Sequence, residues 1–229
     1  MSLPERYVTF GGSGNRIGAV SVEPALSRNE RKKAELRREI IDAAFEAFAE
    51  RGYHATGIAD IAARLGIGHG TFYRYFENKR DIVDHVVSAT IERIVGALTA
   101  ENAPGAVDTL EGYRAQSVRI ADALAEIITS DPRVPRMLVI EAPGVDPEMA
   151  NRVLDFFDLA ADLNAAYLSH GVERGYLRPG LDVVNTARAI NGMILAAAID
   201  GIRRPGVDHQ RELSAAIIGV MFDGISRSM

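Results

Sequence analysis

Between residues 69 and 79 the chain reads His-Gly-Thr-Phe-Tyr-Arg-Tyr-Phe-Glu-Asn-Lys, a short run holding an imidazole, a hydroxyl, two phenols, a guanidinium and an ammonium. Such groups suit hydrogen bonding to base edges and phosphates rather than the making and breaking of bonds. The residues that covalent or metal chemistry would need do not assemble in the sequence. There is no cysteine, hence no thiolate ligand, thiol nucleophile or disulfide. The five histidines are scattered, with no His-Glu-x-x-His and no nucleophile elbow. The glycine-rich run GGSGNRIG near the N-terminus has no Lys-Ser/Thr after it and no apolar strand before it, so it lacks the parts of a phosphate cradle. Asp155 and Asp158, spaced i, i+3, are the nearest carboxylate pair, and a solvated helix face accounts for them. No catalytic residue, metal or cofactor is expected, and the chain is not read as an enzyme. An all-α enzyme or scaffold that kept this segment only as packing would need paired titratable groups in one site.

The elements that must position residues 69–79 are helical. Ile41, Ala44, Phe45 and Phe48 recur at i, i+3, i+4, i+7 and end at Arg51-Gly52, a basic last turn followed by a capping glycine. Thr56 is placed as the N-cap of a short helix over 57–65, with Ile58, Ile61, Ala62 and Leu65 on one side and Gly66 as the turn that stops it. A third segment, 69–76, follows within a few residues. Asn78 then caps a long helix that carries Ile82, Val83, Val86, Val87, Ile91, Ile94, Val95 and Leu98. Two short helices joined by a glycine turn behind a longer apolar-faced one make a helix-turn-helix, whose last helix offers its first turn to a major groove. Phe72 and Phe76, four apart, point inward. His69, Gly70, Thr71, Tyr73 and Arg74 are left for the groove floor, with Tyr75 on its wall and Lys79 on a phosphate.

Charge distribution agrees. The chain has 229 residues, is 47% apolar and carries a formal charge of -5, yet the acidity is unevenly placed. Residues 1–100 hold 14 basic and 13 acidic side chains, against 12 and 18 in residues 101–229. Within the first part, residues 28–38 (RNERKKAELRR) carry six basic and two acidic groups, a local field that attracts phosphate along the backbone or in the minor groove.

The run AAFEAFAERGYHATGIADIAARLGIGHGTFYRYFENKRDIV closely resembles the N-terminal domain of the tetracycline-repressor (TetR) family, over about residues 37–85, with GTFYRYFENK the most diagnostic piece. The later helices match that family only in number, length and order. The resemblance implies DNA contacts by Thr71, Tyr73, Tyr75 and Lys79, to which the reading of the residues adds Thr56, His69, Gly70 and Arg74. It also implies a homodimer on a palindromic operator of double-stranded DNA. Departures fall at Gly57 and Ala59, where the family often has a hydroxyl residue and an arginine, at Gly68 in place of serine, and at His69 in place of a frequent lysine. They thin the base readout and lend weight to the basic segment.

Turn signals at Ser130-Asp-Pro, Ala142-Pro-Gly, Asp146-Pro, Gly175 with Arg178-Pro-Gly, and Arg204-Pro-Gly divide the remainder into helices near 106–129, 133–141, 147–174, 182–203 and 209–227. No strand alternation or internal repeat appears, and the protein is expected to be all-α, an N-terminal three-helix helix-turn-helix domain followed by a C-terminal helical bundle. The expected divisions are an extension over 1–30, the DNA-binding domain over 31–78, and an effector-binding and dimerisation domain over 79–229. Ala187, Ile190, Gly192, Ile194, Ala197, Ala198 and Gly201, with Leu213, Ala216, Ile217, Val220, Met221 and Gly224, supply small and aliphatic faces for a four-helix dimer contact. Tyr113, Met137, Phe156, Asn164, Tyr167 and Asn191 are the candidates for lining a pocket for an apolar or amphipathic small molecule. The start of the chain lacks a signal-peptide pattern and no stretch is long and apolar enough to span a bilayer, so a cytoplasmic protein without membrane association is expected. The function read from the sequence is a ligand-released repressor, with a ligand-responsive activator as the alternative.

Overall fold

The computed structural model describes residues 27–96 and 102–224, and among these it is all-α. Helix α1 (Arg28–Arg51) opens on a capping box: the Glu30 amide donates to Ser27 Oγ at 3.2 Å, and the Ser27 amide to Glu30 Oε2 at 2.8 Å. It therefore starts at the head of the basic segment, and Arg28 to Arg38 form its first turns. It ends where Gly52, at φ +84°, returns its N–H to the Phe48 carbonyl.

Helix α2 (Ile58–Leu65) is capped at Gly57, whose amide donates to Asp60 Oδ2 at 2.7 Å, and is stopped by Gly66 at φ +65°. Helix α3 (His69–Phe72) is a single turn, shorter than the expected 69–76 because the chain tightens into turns through Tyr73–Tyr75. Asn78 caps α4 (Lys79–Gly96), accepting from the Asp81 amide at 2.9 Å.

Beyond a one-turn 3₁₀ segment at Pro104–Ala106 come α5 (Leu110–Ser130), the short α6 (Arg133–Arg136) with its π-helical continuation Met137–Glu141, then α7 (Pro147–Glu173), α8 (Val183–Arg203) and α9 (Val207–Phe222). Thr109, Asp146 and Asp182 each cap the next helix through a side-chain oxygen, and Pro147 occupies the first turn of α7, where a missing N–H costs nothing. The helices α7 and α8 pack along one another, as do α5 and α9. Gly201 allows the closest approach: a Cβ there would collide with the Ile128 side chain and lie 3.0 Å from Gln210 Nε2.

Two cores result. One gathers Ile40, Phe48, Ile61, Phe72, Phe76 and Val83 from α1–α4, and it is closed by Met137, Leu138, Ala142, Met149 and Val153 from the later chain. The other centres on Tyr113, Tyr167, Leu168, Ala187 and Ile190. The first core thus extends past the division expected at residue 78.

Candidate functional site

Burial of Phe72 and Phe76 fixes the orientation of α3. With both rings against α1 and α4, His69, Gly70, Tyr73 and Arg74 face solvent, Tyr73 at 56% exposure, while Thr71 and Tyr75 are half-buried. Helix α2 is braced on α1 by Arg51–Asp60 at 3.1 Å and by Arg64, which reaches Glu46 at 3.1 Å and also pairs with Glu50. The exposed turn therefore stands on a fixed base, and it can present donors and a phenol to a groove without reorganising.

Two residues expected at this interface have partners within the domain. Thr56 is 1% exposed, and its hydroxyl donates to the carbonyls of Ala47 at 3.1 Å and Gly52 at 2.9 Å. It ties off the end of α1 rather than capping α2, because Asp60 supplies that cap to Gly57. The ammonium of Lys79 donates to the carbonyls of Tyr53, His54 and Thr56 at 2.6, 3.5 and 2.8 Å and lies 4.2 Å from the centre of the Tyr53 ring. All three of its donors are used, and burial lowers its pKa. In this arrangement Lys79 braces the turn at residues 53–56.

The basic segment divides in the same way. Arg28, Arg31, Lys32, Lys33 and Arg38 are exposed along the first turns of α1. Arg37 instead stacks 5.0 Å over the Phe76 ring and lies 2.9 Å from His85 Nε2 on α4, which sets the basic turns beside the α3–α4 corner. Burial and the Arg37 charge lower the His85 pKa, so the imidazole is neutral and accepts from the guanidinium.

The later helices enclose a cavity of about 540 Å³. Of the residues singled out from the sequence, Tyr113, Phe156, Asn164, Tyr167 and Asn191 line it. Met137 does not: it is wholly buried in the N-terminal core, where the π-turn beginning at its own position carries it. The sequence reading missed Ser117 and the aliphatic stripe Ile120, Leu124, Ile127 and Ile128 on α5, a stripe legible as the continuation of the i, i+4 spacing from Tyr113. Burial pushes the Tyr113 phenol up to about 12 and raises that of Tyr167, whose hydroxyl donates to the Asn102 carbonyl. Ile94, Leu138, Phe156 and Phe157 both line the cavity and pack against the N-terminal core.

The small-residue faces of α8 and α9 split between interior and surface. Ala187, Ile190, Ala197 and Gly201 are buried within the chain, whereas Val184, Gly192, Ala196 and Ile199 on α8, with Ala215, Ala216 and Val220 on α9, are exposed. Asp155 and Asp158 lie exposed on α7. Among the described residues no group of three or more His, Asp or Glu side chains is disposed to hold a metal, and no helix is long and apolar enough to cross a membrane.

Comparison with known proteins gives concordant matches. Residues 40–86 match the family described as bacterial regulatory proteins, tetR family. The chain is 30% identical over 165 residues to the HTH-type transcriptional repressor KstR2 of Mycobacterium tuberculosis, covering 64% of this chain and 72% of that protein. It is 23% identical over 156 residues to a fatty acid metabolism regulator protein of Bacillus subtilis, covering 68% and 78%. Its fold is similar to the crystal structure of the transcriptional regulator FadR from B. subtilis in complex with stearoyl-CoA, with a TM-score of 0.68, 23% identity, and coverage of 82% of this chain and 99% of that one.

Proposed function

Since the chain belongs to the tetR family of bacterial regulatory proteins and is a DNA-binding transcriptional regulator, we propose that it represses its target genes as a homodimer on a palindromic operator and is released by an apolar or amphipathic small molecule. The observation that carries this reading is the pairing of a solvent-facing α3 turn with an apolar cavity whose wall is part of the core beneath that turn. His69, Gly70, Thr71, Tyr73, Arg74 and Tyr75 are assigned to the operator, and the exposed basic turns of α1 to its phosphates. Tyr113, Phe156, Asn164, Tyr167 and Asn191 are assigned to the effector. The names of the relatives favour an acyl-chain compound, since one is a fatty acid metabolism regulator and one was crystallised with stearoyl-CoA.

The exposed faces of α8 and α9 are assigned to the dimer. Their small side chains let two helices from each copy approach closely, and the resulting two-fold axis matches that of a palindrome. The protein acts by binding, in the cytoplasm where the operator lies. An effector releases DNA only by favouring a conformation that binds DNA less well. Ile94, Leu138, Phe156 and Phe157 give it the means, because filling the cavity presses on side chains that also position α1–α4.

Fluorescence anisotropy on the DNA upstream of the protein's own gene, titrated with salt against random DNA, tests the regulator. Specific binding with a steep salt slope is expected, with one dimer per palindrome. Binding no tighter than to random DNA, at this and other candidate operators, would refute it.

A further inference from the structure

The composition of the cavity wall says more about its occupant than that it is apolar. Among the described residues that line the cavity, only Tyr113, Ser117, Asn164, Tyr167 and Asn191 are polar, and none is charged. They are also unevenly placed. Tyr113 and Ser117 are one turn apart near the start of α5, and the Tyr113 and Tyr167 rings stack at 6.4 Å, with Asn164 one turn before Tyr167 on α7. The wall at the other end is hydrocarbon: Ile127 on α5 and Leu138 just beyond it in the chain. Ile127 lies fourteen residues beyond Tyr113 on α5, so the lumen follows that helix for roughly 20 Å.

We propose that the effector is uncharged where it is buried: an elongated apolar body whose neutral hydrogen-bonding group, an alcohol, ketone or ester, sits against Tyr113 and Ser117 while its hydrocarbon end meets Leu138. This rests on the reading that an effector enters the cavity, and it narrows the class. A carboxylate taken into the lumen would lose its water and find no cation among the described lining residues, and an ammonium would find no carboxylate among them. The protein's own phenols report the same penalty, since burial holds Tyr113 and Tyr167 in their neutral forms. Tyr167 already donates to the Asn102 carbonyl and Asn191 places one Nδ2 hydrogen on the Phe157 carbonyl at 3.0 Å, so a buried anion would have only neutral donors such as Tyr113, Ser117 and Asn164 to offset its lost water. A neutral group needs only one or two partners, and among the described residues the Asn164 side chain makes no hydrogen bond and remains available.

The test uses the full-length protein with Nile red as the cavity probe, displaced by 1-dodecanol, dodecanoate or dodecylamine at about pH 8, where the acid and the amine are both charged. Dodecanol is expected to displace the dye at concentrations at least about tenfold below either charged compound. Tyr113→Phe should weaken the alcohol several-fold and leave the acid unchanged. Ala160→Trp, which fills the lumen, should abolish displacement by all three. Dodecanoate or dodecylamine binding as tightly as the alcohol overturns the inference, as does displacement that survives Ala160→Trp. Specific DNA binding is measured on the same samples. Its absence defeats the regulator reading, whereas intact DNA binding with equal affinity for alcohol and acid defeats only the neutrality of the effector.

Discussion

Phe48, Phe72 and Phe76 in the N-terminal core are at most 1% exposed, and the helices around them are cross-braced by Arg51, Arg64 and Lys79. The C-terminal helices leave about 540 Å³ between them. The difference lies in how each region uses its polar groups. In the N-terminal unit, side chains such as Thr56 and Lys79 satisfy the loose carbonyls at helix ends, so the aromatic core closes over a short span. In the C-terminal unit the caps lie at the far ends of long helices, and the walls between them are mostly apolar, with few polar groups to draw the helices together. A reading head needs one geometry, and a sensor needs room to be changed by what enters it.

That contrast is most sharply tested by deletion. Phe72→Ala should cost about 3–5 kcal/mol in urea unfolding, because a closed core cannot collapse onto the gap. Leu124→Ala, which enlarges a space already open, should cost well under half as much, and equal costs would dissolve the distinction. Next in size is the effect of filling the cavity. A ligand at a hundred times its Kd should stabilise the protein by about 2.7 kcal/mol, which for a chain of this length raises Tm by roughly 5–10 °C in calorimetry. A stabilised unfolding transition with unaltered DNA affinity would mean that the shared wall does not couple the two regions.

Thr56→Val is expected to lower stability by about 1 kcal/mol through loss of the single hydroxyl proton shared between the Ala47 and Gly52 carbonyls, with DNA affinity at fixed folded fraction retained. Loss of affinity beyond the unfolded fraction would return Thr56 to the interface. Replacing Arg31, Lys32 and Lys33 by Ala should leave stability unchanged while reducing the slope of log K against log salt by up to about 3.

The smallest effect concerns His85. Its pKa is below the ordinary histidine value in the folded protein, by burial and by Arg37, so the unfolded chain binds more protons. Stability due to this group is therefore complete above the ordinary histidine pKa and is lost as pH falls below it. His85→Gln should flatten that decline in denaturation midpoints between about pH 7 and pH 5, a window around the usual histidine value.

Much of this was legible in the sequence because local rules control it. The i, i+4 pair Phe72 and Phe76 turned inward as its spacing requires, and Gly52, Gly66 and Asn78 closed the helices they were assigned to. The misplacements share a cause. Thr56 was read as a cap, yet Asp60 three residues past Gly57 made the stronger one and freed the threonine to serve α1. Lys79 lay at the start of a helix, where a cation suits a phosphate, but its acceptors came from the turn at residues 53–56, and only tertiary folding brings those near. Met137 faces the N-terminal core while its neighbour Leu138 reaches both that core and the cavity, a choice between adjacent residues that the sequence does not signal.

Leu138 is at once a wall of the cavity and part of the core beneath α1–α4. Anyone retuning this protein as a biosensor therefore has two kinds of position to choose from. Substitutions at Leu124, Ala160 or Ile194 alter what fits without touching the DNA-binding core, and libraries should be concentrated there. Leu138 is expected instead to act as a gain control, where a change in shape resets how strongly occupancy is heard at the operator, whichever molecule is bound.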